Sequence, residues 1–174
     1  ADAIKPLGNS ITLPATPTSV TKIIKIATVN YIWAGNIKII VSGGGVADNV
    51  NLNFGQRADI AGLQVTYSRY LPACGITKII VTRDGADGGA PRNIYIEFTT
   101  YPNYSQTITL GVVETETGTF TPSMTEVSSV EGIVLDSLSL DYKRGDISSY
   151  QHEFTKDIIG NLTGNADTAT KLAN

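Results

Sequence analysis

Short runs of alternating apolar and polar residues, each closed by glycine, proline or Asp-Gly, constrain this chain more than any other feature. Val50-Asn51-Leu52-Asn53-Phe54 has apolar residues at every even position and stops at Gly55. Leu63, Val65 and Tyr67 fall on one face of the run from Gly62 to Tyr70. Ile94, Ile96 and Phe98 do the same between Asn93 and Thr99. A period of two places successive side chains on opposite faces of an extended strand, so each run predicts a strand with one buried face. Further runs lie at Lys22–Val29, Asn36–Val41, Ile76–Thr82 and Gln106–Val112, and residues 125–135 hold room for another. About eight short strands with turn signals at this spacing are the pattern of a sandwich or barrel. No stretch sustains a helical period, and the gaps leave no room for crossover helices, which excludes parallel β-α-β units. The expected fold is an all-β, antiparallel β-sandwich, jelly-roll-like, over residues 20–140.

The flanks read differently. Pro6, Pro14 and Pro17 crowd residues 1–19. They argue against a helix or a central strand there, so an extended arm or linker is expected. Residues 141–157 concentrate mixed charge (Asp141, Lys143, Arg144, Asp146, Glu153, Lys156 and Asp157) and read as a connector. Residues 158–174 form a short joining segment. It is too thinly apolar to bury itself and too short to hold a helix alone in water.

Composition narrows the function classes. A chain of 174 residues suits one domain with appendages. Charged residues make up only 17%, and the polar faces are filled by Ser, Thr and Asn, which suits many strands with neutral outer faces. The net charge of −3 comes without a basic run, so no nucleic-acid partner is expected. No apolar run approaches the roughly 20 residues that span a bilayer, so membrane insertion is not expected. The start, Ala1-Asp2-Ala3-Ile4-Lys5-Pro6, lacks the basic and apolar regions of a signal peptide, and without an initiator Met it reads as part of something longer. Cys74 is the only cysteine, which rules out a disulfide within the chain.

Candidate chemistry is sparse, and each case has a plainer account. Cys74 and His152 are the only thiol–imidazole pair, but no surrounding signature supports a nucleophile, and a small buried thiol with a solvated histidine explains them. Asp84 and Asp87 stand out of phase for a calcium loop and suit a hairpin turn. Glu114 and Glu116 fall on one side of a strand, about 6–7 Å apart; a glycosidase uses such a pair, and a charged strand end explains it more simply. The Ser42-Gly43-Gly44-Gly45 run lacks the Lys and the following helix of a phosphate loop. No enzyme activity, cofactor or metal is expected. The aromatics offer more. Trp33, the single tryptophan, lies with Tyr31 between two strands, and Tyr101 and Tyr104 bracket Pro102-Asn103. Loop aromatics stack on the apolar face of sugar rings while an adjacent amide bonds hydroxyls, so Trp33, Tyr31, Tyr101, Asn103 and Tyr104 are the candidate receptor or glycan contacts. The plainer account of Trp33 is packing at the core margin or at a subunit interface.

One segment points to a family. Gly160-Asn161-Leu162-Thr163-Gly164-Asn165-Ala166-Asp167-Thr168-Ala169-Thr170-Lys171-Leu172-Ala173 resembles the short segment that recurs in tail-fibre and tail-spike proteins of bacteriophages. There it usually stands just before a receptor-binding tip or a joint. The strand at Lys25-Ile26-Ala27-Thr28, with its alternating successors and Gly-rich hairpins, resembles the β-sandwich modules set along such fibres. The resemblance implies a virion protein, assembled in the host cytoplasm as a homotrimer. It would join adjoining fibre segments and attach to a host surface glycan or outer-membrane protein. Some spikes cleave polysaccharide on a β-helix, whose repeated rungs this sequence lacks. The alternative expectation is a monomeric carbohydrate-binding sandwich from a bacterial surface or secreted protein.

Overall fold

A computed structural model describes residues 9–30, 34–55, 63–115 and 118–142, at 112–115 for the backbone alone. Tyr31, Trp33 and everything from Lys143 onward, including His152, the connector and the tail-fibre-like segment, lie outside the described residues.

The chain forms an antiparallel β-sandwich of two five-stranded sheets. In chain order the strands are β1 (Ser10–Leu13), β2 (Thr21–Asn30), β3 (Ala34–Gly43), β4 (Val46–Gly55), β5 (Gln64–Ser68), β6 (Gly75–Arg83), β7 (Arg92–Thr99), β8 (Gln106–Thr115), β9 (Thr119–Val127) and β10 (Ile133–Ser139). The first sheet runs β1-β8-β3-β4-β5 and the second β10-β6-β7-β2-β9. β1 pairs with β8 and β2 with β7, so early strands fold back onto late ones, which gives the jelly-roll-like wrap; β3-β4-β5 and β6-β7 are local hairpins within it. No helix long and apolar enough to cross a membrane occurs among the described residues.

The alternating pattern does what it foretold. Ile37, Ile39 and Val41 of β3, Val50, Leu52 and Phe54 of β4, and Ile108 and Leu110 of β8 point inward. They meet Ile24 and Ile26 of β2, Ile79 and Val81 of β6, and Ile94, Ile96 and Phe98 of β7. Each fully buried aliphatic or phenyl side chain contributes about 1.5–3 kcal/mol relative to exposure, which outweighs any single polar contact described below. In β2 the phase slips at a bulge between Lys25 and Ala27, which lets Ile24, Ile26, Ala27 and Val29 all reach the core.

Two expectations change. Within the proline-bounded arm, Ser10–Leu13 is an edge strand against β8, with Leu13 in the core. Proline is excluded from central strands, not from the end of an edge strand, and Pro14 follows directly. The run at 125–135 is not one strand: β9 ends at Val127 and β10 begins at Ile133. β9 carries Pro122 at the sheet edge, and a bulge inserts Ser123 and Met124, the latter at φ 48°, opposite Ile26.

Candidate functional site

The connections β1–β2, β3–β4, β5–β6 and β7–β8 meet at one end of the sandwich. Three of the five candidate contacts are there, on the β7–β8 loop. Gln106 opens β8 in the inward phase of Ile108 and Leu110, yet it is polar and 1% exposed. Its carboxamide is fully used. Oε1 accepts from the Tyr101 backbone N–H at 3.1 Å, and Nε2 donates to the carbonyls of Tyr101 at 3.1 Å and Tyr104 at 2.8 Å. A buried amide left unpaired would cost about 1–3 kcal/mol, so the loop conformation and the buried side chain depend on each other.

The β1–β2 connection runs alongside and braces the loop. Asn103 takes a left-handed φ of 69° and donates its N–H to the Thr16 carbonyl at 2.7 Å. Thr100 donates its N–H to the Val20 carbonyl at 2.9 Å, and its hydroxyl accepts from the Val20 N–H at 3.0 Å. Asparagine tolerates the left-handed region better than other side chains, which suits it to this bend.

On this frame Tyr101 lies half-buried against the core, and Tyr104 stacks on it with centroids 5.9 Å apart and ring planes 28° from parallel. Tyr104 is 56% exposed. The β3–β4 hairpin backs the pair. Gly44 and Gly45, with φ of 59° and 83°, form its two-residue turn, and a side-chain carbon on Gly44 would come within 2.5 Å of Tyr104 Cβ. Positive φ at both central positions is the type I′ geometry that matches strand twist. What this arrangement can do is bind: a fixed aromatic face and neighbouring amide and hydroxyl groups present no acid–base pair.

Asp48 and Arg69 shape the adjoining β5–β6 connection. Asp48 stands on β4 in phase with Val46 and Val50, 1% exposed. Its Oδ2 accepts from the Ile76 N–H at 2.7 Å, on the other sheet, and its Oδ1 from the Tyr70 N–H at 3.2 Å. Burial raises its carboxyl above the ordinary 3.8, opposed by these two hydrogen bonds and by the Arg69 charge. Arg69, itself buried, donates from Nη1 to the Leu140 carbonyl at 2.6 Å and from Nη2 to Pro72 at 3.0 Å and Cys74 at 3.4 Å. The sequence held a signal for both Gln106 and Asp48, a polar residue in the inward phase of a strand next to a turn; nothing marked Arg69 or Tyr70.

The remaining candidates fall into structural roles or outside the description. Cys74 is buried and donates its thiol to the Thr100 carbonyl at 3.4 Å, a packing contact at the loop base. Asp84 accepts from the Asn93 amide at 2.5 Å and Asp87 from the Gly89 N–H at 3.0 Å, so both carboxylates serve the β6–β7 turn. Among the described residues no cluster of three or more His, Cys, Asp or Glu is placed to hold a metal. Glu114 pairs through its backbone with Asn36, and its side chain is outside the described set, as is Glu116. Asn30 and Ala34 lie at the opposite end of the strands from Tyr101, and the candidates Tyr31 and Trp33 lie outside the described residues. Compared with known proteins, the chain matches no family model, no curated protein and no solved structure.

Proposed function

We propose that this chain is a structural and adhesive module of a phage tail fibre, which takes part in attachment to the bacterial surface and acts as part of a homotrimer. The observation that carries the adhesive part is the Tyr104–Tyr101 pair: an exposed ring whose loop is locked by a buried glutamine before any ligand arrives. Such preorganisation saves the entropy that a mobile loop loses on binding. The fibre part rests on the segment from Gly160 to Ala173, which follows the sandwich in the chain and resembles fibre joints. Closed three-fold symmetry would turn such a thin, small-residue segment into a rod rather than an aggregate. The same tyrosine pair supports a second reading, a monomeric carbohydrate-binding sandwich.

Light scattering separates the two. The whole chain is expected to run at three times its 18.5 kDa mass. A version ending at Tyr150 is expected to fall to a monomer if the tail holds the trimer, or to stay trimeric if the sandwich does. A monomeric whole chain overturns the fibre reading and favours the second. The adhesive part is tested by binding of the labelled whole chain to intact cells of a panel of Gram-negative strains, where retention on none overturns it.

A further inference from the structure

Two exposed tyrosines, not one, stand at this end of the first sheet. Tyr104 precedes β8 by two residues, and Tyr70 follows β5 by two; they are 56% and 60% exposed. The sheet order β8-β3-β4-β5 puts them at the same end, three strand spacings or about 14 Å apart. Between them lies the β3–β4 hairpin, whose tip is Gly43, Gly44 and Gly45. Gly45 has no atom within 4 Å of where a side chain would begin. The ground between the two rings is therefore bare backbone.

The two rings are also mounted alike. Asp48 and Gln106 occupy inward positions of the first sheet where the strand phase calls for apolar residues, and both are 1% exposed. Asp48 holds the Tyr70 N–H, and Gln106 holds the Tyr104 carbonyl. Each buried polar group thus fixes the backbone beside one exposed ring. Burying a polar group without need is costly, and here both are used to set the loops that carry the tyrosines.

We infer that Tyr70, the Gly43–Gly45 hairpin and Tyr104 form one extended binding edge for an uncharged oligosaccharide, with a sugar ring stacked at each tyrosine and the hairpin backbone facing the residues between. This rests on the adhesive reading above and goes beyond it in ligand class and extent. The charge of the loops argues for a neutral ligand. Residues 14–20, 43–46, 69–74 and 100–105 contain one charged side chain, Arg69, and its guanidinium is buried on backbone carbonyls. An anionic sugar or phosphate would find no free cation in these loops, whereas apolar ring faces and hydroxyls match aromatic and amide groups.

The test titrates the whole chain calorimetrically with malto-, cello- and chito-oligosaccharides from two to six residues, beside the cell-binding assay. Affinity in at least one series is expected to climb with length until the ligand reaches both rings, and then level off. Tyr70→Ala and Tyr104→Ala are each expected to weaken that ligand about tenfold, and the Phe variants to stay within about threefold, because stacking needs the ring and not the hydroxyl. Both tyrosines are exposed, and unchanged circular dichroism would confirm that the variants fold. Weakening by Tyr104→Ala alone overturns the two-ended edge while leaving the adhesive reading in place. So does retention on cells with no binding in any of the three series. Failure of both the sugars and the cells removes both.

Discussion

On the outer face of the first sheet, Asn49 and Asn53 of β4 and Thr66 and Ser68 of β5 are open to solvent, and Thr107 and Thr109 of β8, beyond β3, are half-buried. On the outer face of the second sheet, Tyr95 of β7 is 1% exposed. It alternates with Ile94 and Ile96, which point into the sandwich, so only something on the outside can cover it. The cover is the β9–β10 connection. β9 and β10 are opposite edges of that sheet, and residues 128–132 cross from Val127, paired with Ile23, to Ile133, paired with Arg83. On the way the Glu131 N–H donates to the Tyr95 hydroxyl at 3.4 Å, and Gly132 settles against the Arg83 carbonyl. One sheet is buried on one side and the other partly on both. The first sheet leaves much of its outer face to solvent, and the connection covers part of the outer face of the second.

The largest test of this contrast removes the covered ring. Tyr95→Ala is expected to cost roughly 3–5 kcal/mol in urea unfolding, as a core aromatic does. Ile40→Ala, at 39% exposure on the outer face of the first sheet, is expected to stay within about 0.5 kcal/mol. Equal effects at the two positions would mean that the connection does not bury the second sheet.

This difference also decided what could be read in the sequence. From Val50 to Phe54 β4 alternates cleanly because only one of its faces is buried, and its strand was plain. β6 and β7 are buried through most of their length: the alternation of Ile94, Ile96 and Phe98 put Tyr95 on the outer face but gave no sign that this face is covered, and the run at Ile79-Ile80-Val81-Thr82 shows no clean period. β1 offered only Ile11 and Leu13 inside a proline-rich stretch, too short a run to show a period. β9 hid behind Pro122 and a bulge, both tolerated because it is an edge. Of the candidate site, Tyr101 and Tyr104 stood out because they bracket Pro102-Asn103, whereas Tyr70, as exposed as Tyr104, carried no such mark. The clamps were harder to see, since whether a polar residue in an inward phase is buried depends on partners distant in sequence, such as Ile76 for Asp48.

A glycine pair sharpens the contrast at the next level down. Gly132, in the strap, has φ 94°, and an added side-chain carbon would come within 2.6 Å of the Arg83 carbonyl oxygen. Gly45, at the bare end of the first sheet, has φ 83° and open space. Gly132→Ala carries both backbone strain and overlap with a fixed carbonyl, and is expected to cost roughly 2–4 kcal/mol. Gly45→Ala carries the backbone term alone, about 1–2 kcal/mol. Thermal melts of the two variants would rank them, and the reverse order would show that the strap yields more readily than the hairpin.

The smallest effect lies at the seam, where Asp48 of the first sheet holds the Ile76 N–H of the second. Asp48→Asn leaves one acceptor oxygen where two N–H donors point, and is expected to cost about 1–3 kcal/mol. Its pH dependence distinguishes this account from simple loss of packing. Burial raises the Asp48 carboxyl in the fold, so the folded state holds its proton more tightly than the unfolded chain does. The stability this contributes is complete below the ordinary 3.8 and is lost as pH rises through the elevated folded value. The asparagine variant has no such titration. The margin of the parent chain over Asp48→Asn, measured by urea unfolding across the acid range, is therefore expected to shrink as pH rises and then level off. A margin that grows with pH would mean that the hydrogen bonds to the carboxylate outweigh its burial, and that the seam is held by an anion rather than strained by one.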